Sequence, residues 1–144
     1  MGAEKLLLIN RQDLNEIIEH SLQDDPNECC GILGGKGNKV MKVYRATNTE
    51  NSPYRYKMDP IDQLQADKDC DLNDWEFVAF YHSHTHSPAY PSATDVRMAI
   101  QNEWLTVQYM IVSLMDKSKP IARAFTIDSD GEIVEGNIEI LDKW

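Results

Sequence analysis

The sequence predicts an α/β (α+β) fold in which helices interleave with strands. Three observations predict it. Apolar runs of strand length recur along the chain, capped or amphipathic helical segments fall between them, and several neighbouring strands are separated only by short turns. Residues 5–9 read as a short strand. Asn10 is a helix N-cap with Asp13 three residues on, and Leu14, Ile17, Ile18 and Leu22 follow at helical spacing, so an amphipathic helix is expected over about 11–23. Asp24-Asp25-Pro26-Asn27 closes it. Cys29 to Leu33 reads as a buried strand ended by Gly34-Gly35, with Val40 to Ala46 as its hairpin partner. Thr47 to Tyr56 is polar, contains Pro53 and reads as a loop. Asp59-Pro60 starts a helix carrying Ile61 and Leu64, and the acidic stretch from Asp67 to Asp74 reads as a solvated end or loop. Glu76 to Tyr81 is the strongest buried strand and runs into His82-Ser83-His84. A loop punctuated by Pro88 and Pro91 precedes a helix over 92–100. Tyr109 to Leu114 and Ile121 to Ile127 read as strands, and Ile133 to Leu141 alternates like an outer strand.

Composition narrows the function. The 144 residues suit one domain, 1–144, and 42% hydrophobic with 26% charged residues is a globular balance. Against 14 Lys+Arg stand 24 Asp+Glu, a formal net charge of -10, so the surface repels phosphates and anionic lipid. Neither a nucleic-acid nor a membrane partner is expected. No apolar run approaches the roughly 20 residues of a membrane span. Met1-Gly2-Ala3-Glu4-Lys5 lacks the features of a secretory signal. Three cysteines, two of them adjacent, make no complete disulfide framework, and a cytoplasmic location is expected.

The chemistry concentrates between residues 82 and 95. Side chains on a strand repeat every second residue, so His82 and His84 point to one side at its end. Neutral imidazoles that converge are favoured zinc ligands, and a catalytic zinc takes three protein ligands and keeps one position for water. Asp95 supplies the third if the 85–91 loop folds back and a helix starts near Ser92. Ser92 is then close enough to donate to a tetrahedral oxyanion. Glu28 opens an apolar strand beside Cys29 and Cys30, where partial desolvation raises a carboxyl pKa and favours general-base work.

A Glu, then His-x-His, seven residues, Ser, two residues and Asp is the pattern of the JAMM/MPN+ metallohydrolases. Glu28, His82, His84, Ser92 and Asp95 match it without departure. Pro26 to Gly35, Thr47 to Pro53, Tyr81 to Thr85 and Ala89 to Ser92 resemble its compact prokaryotic branch, which includes Mec-type hydrolases of ubiquitin-like sulfur-carrier proteins. The resemblance implies a curved mixed sheet flanked by helices, the MPN/JAMM fold, similar to the cytidine-deaminase layout. It implies zinc (one ion with a water) on His82, His84 and Asp95, Glu28 as proton carrier to the leaving amine, and Ser92 at the oxyanion. The bond implied is a peptide or isopeptide after the C-terminal glycine of a ubiquitin-like or sulfur-carrier protein with a Gly-Gly tail. In larger relatives the segment before the His-x-His strand clamps that tail, and residues 48–75 occupy its place here.

Plainer readings stand beside these. Ser92-x-x-Asp95 is also a helix capping box, which is compatible with a ligand role. His86 shares the strand parity of His82 and His84, but Ser87-Pro88 ends the strand, so it reads as a solvent-facing or substrate-side residue. Cys29 and Cys30 read as packing residues on opposite sides, and Cys70 as inert in an acidic segment. Gly34-Gly35 reads as a turn. Two other functions fit the pattern less well. One is a non-catalytic module that binds a ubiquitin-like tail. The other is a zinc amidohydrolase of a small substrate, which lacks the Pro-Cys-x-x-Cys of the deaminases.

Overall fold

The computed structural model describes residues 5–142. Among them, ten elements follow in order: β1 (Leu6–Asn10), α1 (Arg11–Asp24), β2 (Cys30–Lys36), β3 (Lys39–Ala46), α2 (Pro60–Leu72), β4 (Glu76–His84), α3 (Ala93–Gln101), β5 (Gln108–Ser113), β6 (Ile121–Ile127) and β7 (Ile133–Leu141). The strands form one mixed sheet in the order β1-β3-β2-β4-β5-β6-β7. It curls until its ends meet as a closed barrel. Closure comes from β1, parallel to β7 from Leu6↔Asn137 to Asn10↔Leu141, and touching β3 at Leu8↔Lys39. β7 is therefore paired on both sides, although none of its residues is buried and exposed positions alternate with half-buried ones from Glu135 to Glu139.

Each helix begins where the sequence places a cap. Asn10 accepts from the Asp13 N–H at 2.7 Å, and Asp59 accepts from the Ile61 N–H at 2.8 Å with Pro60 in the first turn. Their faces differ from expectation. On α1, Leu14 and Ile17 are buried as expected, but Leu22 points outward, and His20 and Ser21 turn inward instead. On α2, Ile61 and Leu64 are 65% and 53% exposed, while Ala66 and Cys70 face the sheet. The helix runs on through the acidic stretch to Leu72, whose carboxylates form its solvated side.

The two sheet faces feed two cores, one with Leu14 and Ile17 of α1, the other with Ala66 of α2 and Ala99 of α3. Cys29 belongs to the first and Cys30 to the second, and burial raises both thiol pKa values. Both stay thiols, as packing residues do. The buried Cys70 thiol is also raised, by burial first and against the hydrogen bond with Tyr44, with its acidic neighbours adding to the rise.

Gly34-Gly35 does not end β2. The strand continues to Lys36 through a register shift, and the turn falls at Gly37, in the left-handed region at φ 59. A Cβ on Gly34 would lie 2.7 Å from Cys70 Sγ, so the glycine lets α2 sit down on the strand.

Gly31 serves the other face. It pairs with Tyr81 across β2 and β4, and the Tyr81 ring covers it. The Tyr81 hydroxyl lies 2.7 Å from His20 Nδ1, so the ring is pinned at both ends. A methyl group at residue 31 has no room without displacing this fully buried ring. Gly31→Ala is expected to destabilise the protein by ~3 kcal/mol in urea unfolding, at the upper end of overpacking costs. A change below ~1 kcal/mol would mean that the ring moves freely.

Candidate metal centre

β4 extends past Tyr81 through His84, so both histidines lie on regular strand with Ser83 between them facing the other way. Ser83 Oγ accepts the Cys29 N–H at 2.8 Å, fastening the end of β4 to the residue that follows Glu28. Asp95 arrives from the far side of the Pro-rich loop. Ser92 caps α3 by accepting the Asp95 N–H at 3.0 Å, and Asp95 Oδ2 accepts the Ser92 N–H at 2.9 Å. The capping box thus aims the carboxylate inward, at the histidines.

Three atoms converge as a result. His82 Nε2 and His84 Nε2 are 3.1 Å apart, and they lie 3.1 and 3.0 Å from Asp95 Oδ2. Zinc–nitrogen bonds of 2.0–2.1 Å at tetrahedral angles separate ligand atoms by roughly 3.3 Å, so two imidazoles and a carboxylate at this spacing fit that ion. His84 Nδ1 donates to the Pro88 carbonyl at 2.9 Å, which leaves the Nε2 lone pair for a metal. Both histidines are buried. Burial alone would raise Asp95, but the two histidines and the Ser92 N–H outweigh it and hold the carboxyl well below the usual range. Burial lowers His84, and Asp95 more than restores it.

Glu28 stands just before β2. The pairing of Cys30 with His82, continued two residues, sets it opposite His84 on the same face. It is 4% exposed. Burial pushes its carboxyl up to about 7, against the pull of His82 and His84 and with the push of Asp95. Ser92 is exposed, and because its oxygen accepts the Asp95 N–H, its own hydrogen remains free to donate. The structure therefore brings Glu28, His82, His84, Ser92 and Asp95 together. His86 stays apart from the triangle. It is exposed, bonded through Nδ1 to Thr85 Oγ1, and lies against the Tyr54 ring.

Residues that sequence reasoning passed over lie in the 47–58 segment. Asn48 is buried and donates to the Glu28 and Arg55 carbonyls while accepting from the Glu50 and Lys57 N–H groups. The Glu28 N–H donates to the Ser52 carbonyl, and Thr85 donates to that of Pro53. The segment is thus stitched over the site, and Tyr56 lays its ring beside that of His82. Its signals in the sequence were the turn-forming residues between 47 and 53 and the family resemblance over that stretch, neither of which singles out Asn48 or Tyr56. A cavity of about 250 Å³ opens beside the triangle, lined by Tyr56, Met58, Met98, Trp104 and Tyr109 with His82 and Asp95 at one end.

Known proteins share this arrangement of chain. A family described as prokaryotic homologs of the JAB domain matches residues 10–128, which include all five residues above. The CysO-cysteine peptidase of Mycobacterium tuberculosis is 31% identical over 99% of this chain and 97% of its own. A desampylase of Pyrococcus furiosus is 41% identical over 48% of this chain and 49% of its own. A protein of Desulfitobacterium hafniense, known from its solution structure, is 36% identical over 96% of this chain and 94% of its own, with a TM-score of 0.85. The chain belongs to the prokaryotic branch of the JAB family, the JAMM/MPN proteins.

Proposed function

We propose that the protein is a zinc-dependent peptidase of the cytoplasm. In this reading it hydrolyses the peptide or isopeptide bond after the C-terminal glycine of a ubiquitin-like, sulfur-carrier type of protein. The observation that carries the reading is the convergence of His82, His84 and Asp95 with the buried Glu28 carboxyl facing them. His82, His84 and Asp95 would hold the ion. When bound, zinc supplies Lewis-acid polarisation of the scissile carbonyl and a more acidic water. Glu28 takes a proton from the attacking water and passes it to the leaving amine, a role that suits a buried carboxyl facing the triangle. Ser92 donates its free hydroxyl hydrogen to the tetrahedral oxyanion.

The apolar cavity suits the tail that precedes the bond. Residues on either side of Tyr56 direct their backbone groups to Asn48 and Thr49, which leaves the other edge of the 54–58 stretch for an added extended chain. Gln63 of α2 also lines the cavity, and the outer side of that helix presents Ile61 and Leu64 with Asp67 and Asp71. That apolar and acidic face is where the body of a carrier with a basic patch would dock. The full-length match to a CysO-cysteine peptidase supports the substrate class, and three free, buried cysteines suit a reducing compartment.

Intact-mass analysis of a ubiquitin-like carrier with a short extension after Gly-Gly tests the proposal. Zinc-loaded protein should release the extension at the terminal glycine, and chelated protein should not. Zinc-loaded protein that binds several such carriers without cutting any would instead establish a binding module.

A further inference from the structure

A histidine that ligates a metal ordinarily donates its second ring nitrogen to a fixed acceptor, and that bond sets both tautomer and ring plane. His84 has such a bond, to Pro88. His82 does not: its Nδ1 is buried and has no hydrogen-bond partner among the described residues. With Nε2 committed to the triangle, Nδ1 must carry the hydrogen, and nothing accepts it. Another contact has to hold the imidazole plane.

Tyr56 is the residue in place. Its ring centroid is 4.6 Å from that of His82, with the planes 30° apart, a tilted ring-on-ring contact. The backbone beneath it is held on both sides by Asn48, which bonds the Arg55 carbonyl at 3.1 Å and the Lys57 N–H at 3.0 Å. Asn48 also bonds the Glu28 carbonyl, so one residue ties the ring to the base. The Tyr56 hydroxyl makes no hydrogen bond among the described residues, so its contribution to His82 is the flat ring. We propose that Tyr56 is a positioning residue for His82, its ring taking the place of the missing hydrogen bond and aiming Nε2 at the metal. The inference rests on the zinc reading above.

Zinc affinity measured by competition with a chromophoric chelator tests it without any substrate. Tyr56→Phe should bind within twofold of wild type. Tyr56→Leu should bind about 10–100-fold more weakly, the usual cost of losing a ligand's support, and its cobalt-loaded form should show an altered d–d absorption spectrum. Tyr56→Met, whose flexible unbranched chain fills gaps without a flat face, should behave like the Leu variant and serves if that variant fails to fold. Affinities for the Leu and Met variants within twofold of wild type, with unchanged cobalt spectra, would overturn the inference. So would a Phe variant as weak as Leu, because the hydroxyl would then be what matters. Wild-type protein that takes up no zinc overturns the zinc reading, and this inference with it.

Discussion

Glu28→Gln protein is expected to keep its zinc and to lose hydrolysis by a factor of about 10²–10⁴, the range that a general acid–base contributes. The amide has nearly the same shape and lies outside the His82, His84 and Asp95 triangle, but it neither takes nor gives a proton. An unchanged turnover number would remove Glu28 as the base. The same substitution carries a second expectation. In the metal-free fold the Glu28 carboxyl titrates near 7, against an ordinary 4.5. Between those values the folded chain holds a proton that the unfolded chain has released, so the contribution to stability is full below 4.5 and is lost as pH rises through 7. The gap corresponds to at most ~3 kcal/mol. Glutamine does not ionise and escapes this cost. Metal-free Glu28→Gln should therefore exceed metal-free wild type in urea unfolding at pH 8, with the advantage shrinking toward pH 4.5. An advantage equal at both ends would assign it to packing.

Asp95→Ala should abolish zinc binding at micromolar concentration and leave no measurable hydrolysis. Its second effect is local. Asp95 accepts the Ser92 N–H, and its removal opens the capping box at the start of α3, a loss of ~1 kcal/mol. Asp95→Asn separates the two, because the amide oxygen still accepts from Ser92 while the anionic ligand is gone. The Asn variant should recover the cap's share of the stability in urea, but neither the pairing of the anion with His82 and His84 nor the metal affinity. If both variants unfold at the same urea concentration as wild type, the box contributes nothing to α3.

Local chemistry explains which features were legible in the sequence. The period of a strand places His82 and His84 on one side, and Ser92-x-x-Asp95 is a cap whatever else it does, so the core of the candidate site could be read directly. Asn10 and Asp59-Pro60 likewise announce their helices. Features fixed by distant partners were not legible. Gly34-Gly35 has the composition of a turn, and only pairing with Lys42 and Val40 of β3 and with Phe77 and Glu76 of β4 makes it part of a strand. Ile61 and Leu64 carry no mark that says whether a helix face is covered. Closure of the sheet depends on β1 meeting β7 across nearly the whole chain length. Tyr56 sits in a segment without periodicity, and its place beside His82 comes from bonds through Asn48 that composition does not encode.

The capping box has a consequence for how such a protein would decay. His82 and His84 serve the triangle, so a lineage released from hydrolysis is free to replace them with other side chains that suit a buried strand. Ser92 and Asp95 also start a helix, and that duty persists after the reaction is abandoned. Descendants that no longer cut anything should lose the His-x-His half of the pattern first and keep Ser-x-x-Asp. On the proposed zinc reading, the second half of the pattern would mark ancestry and the first half activity.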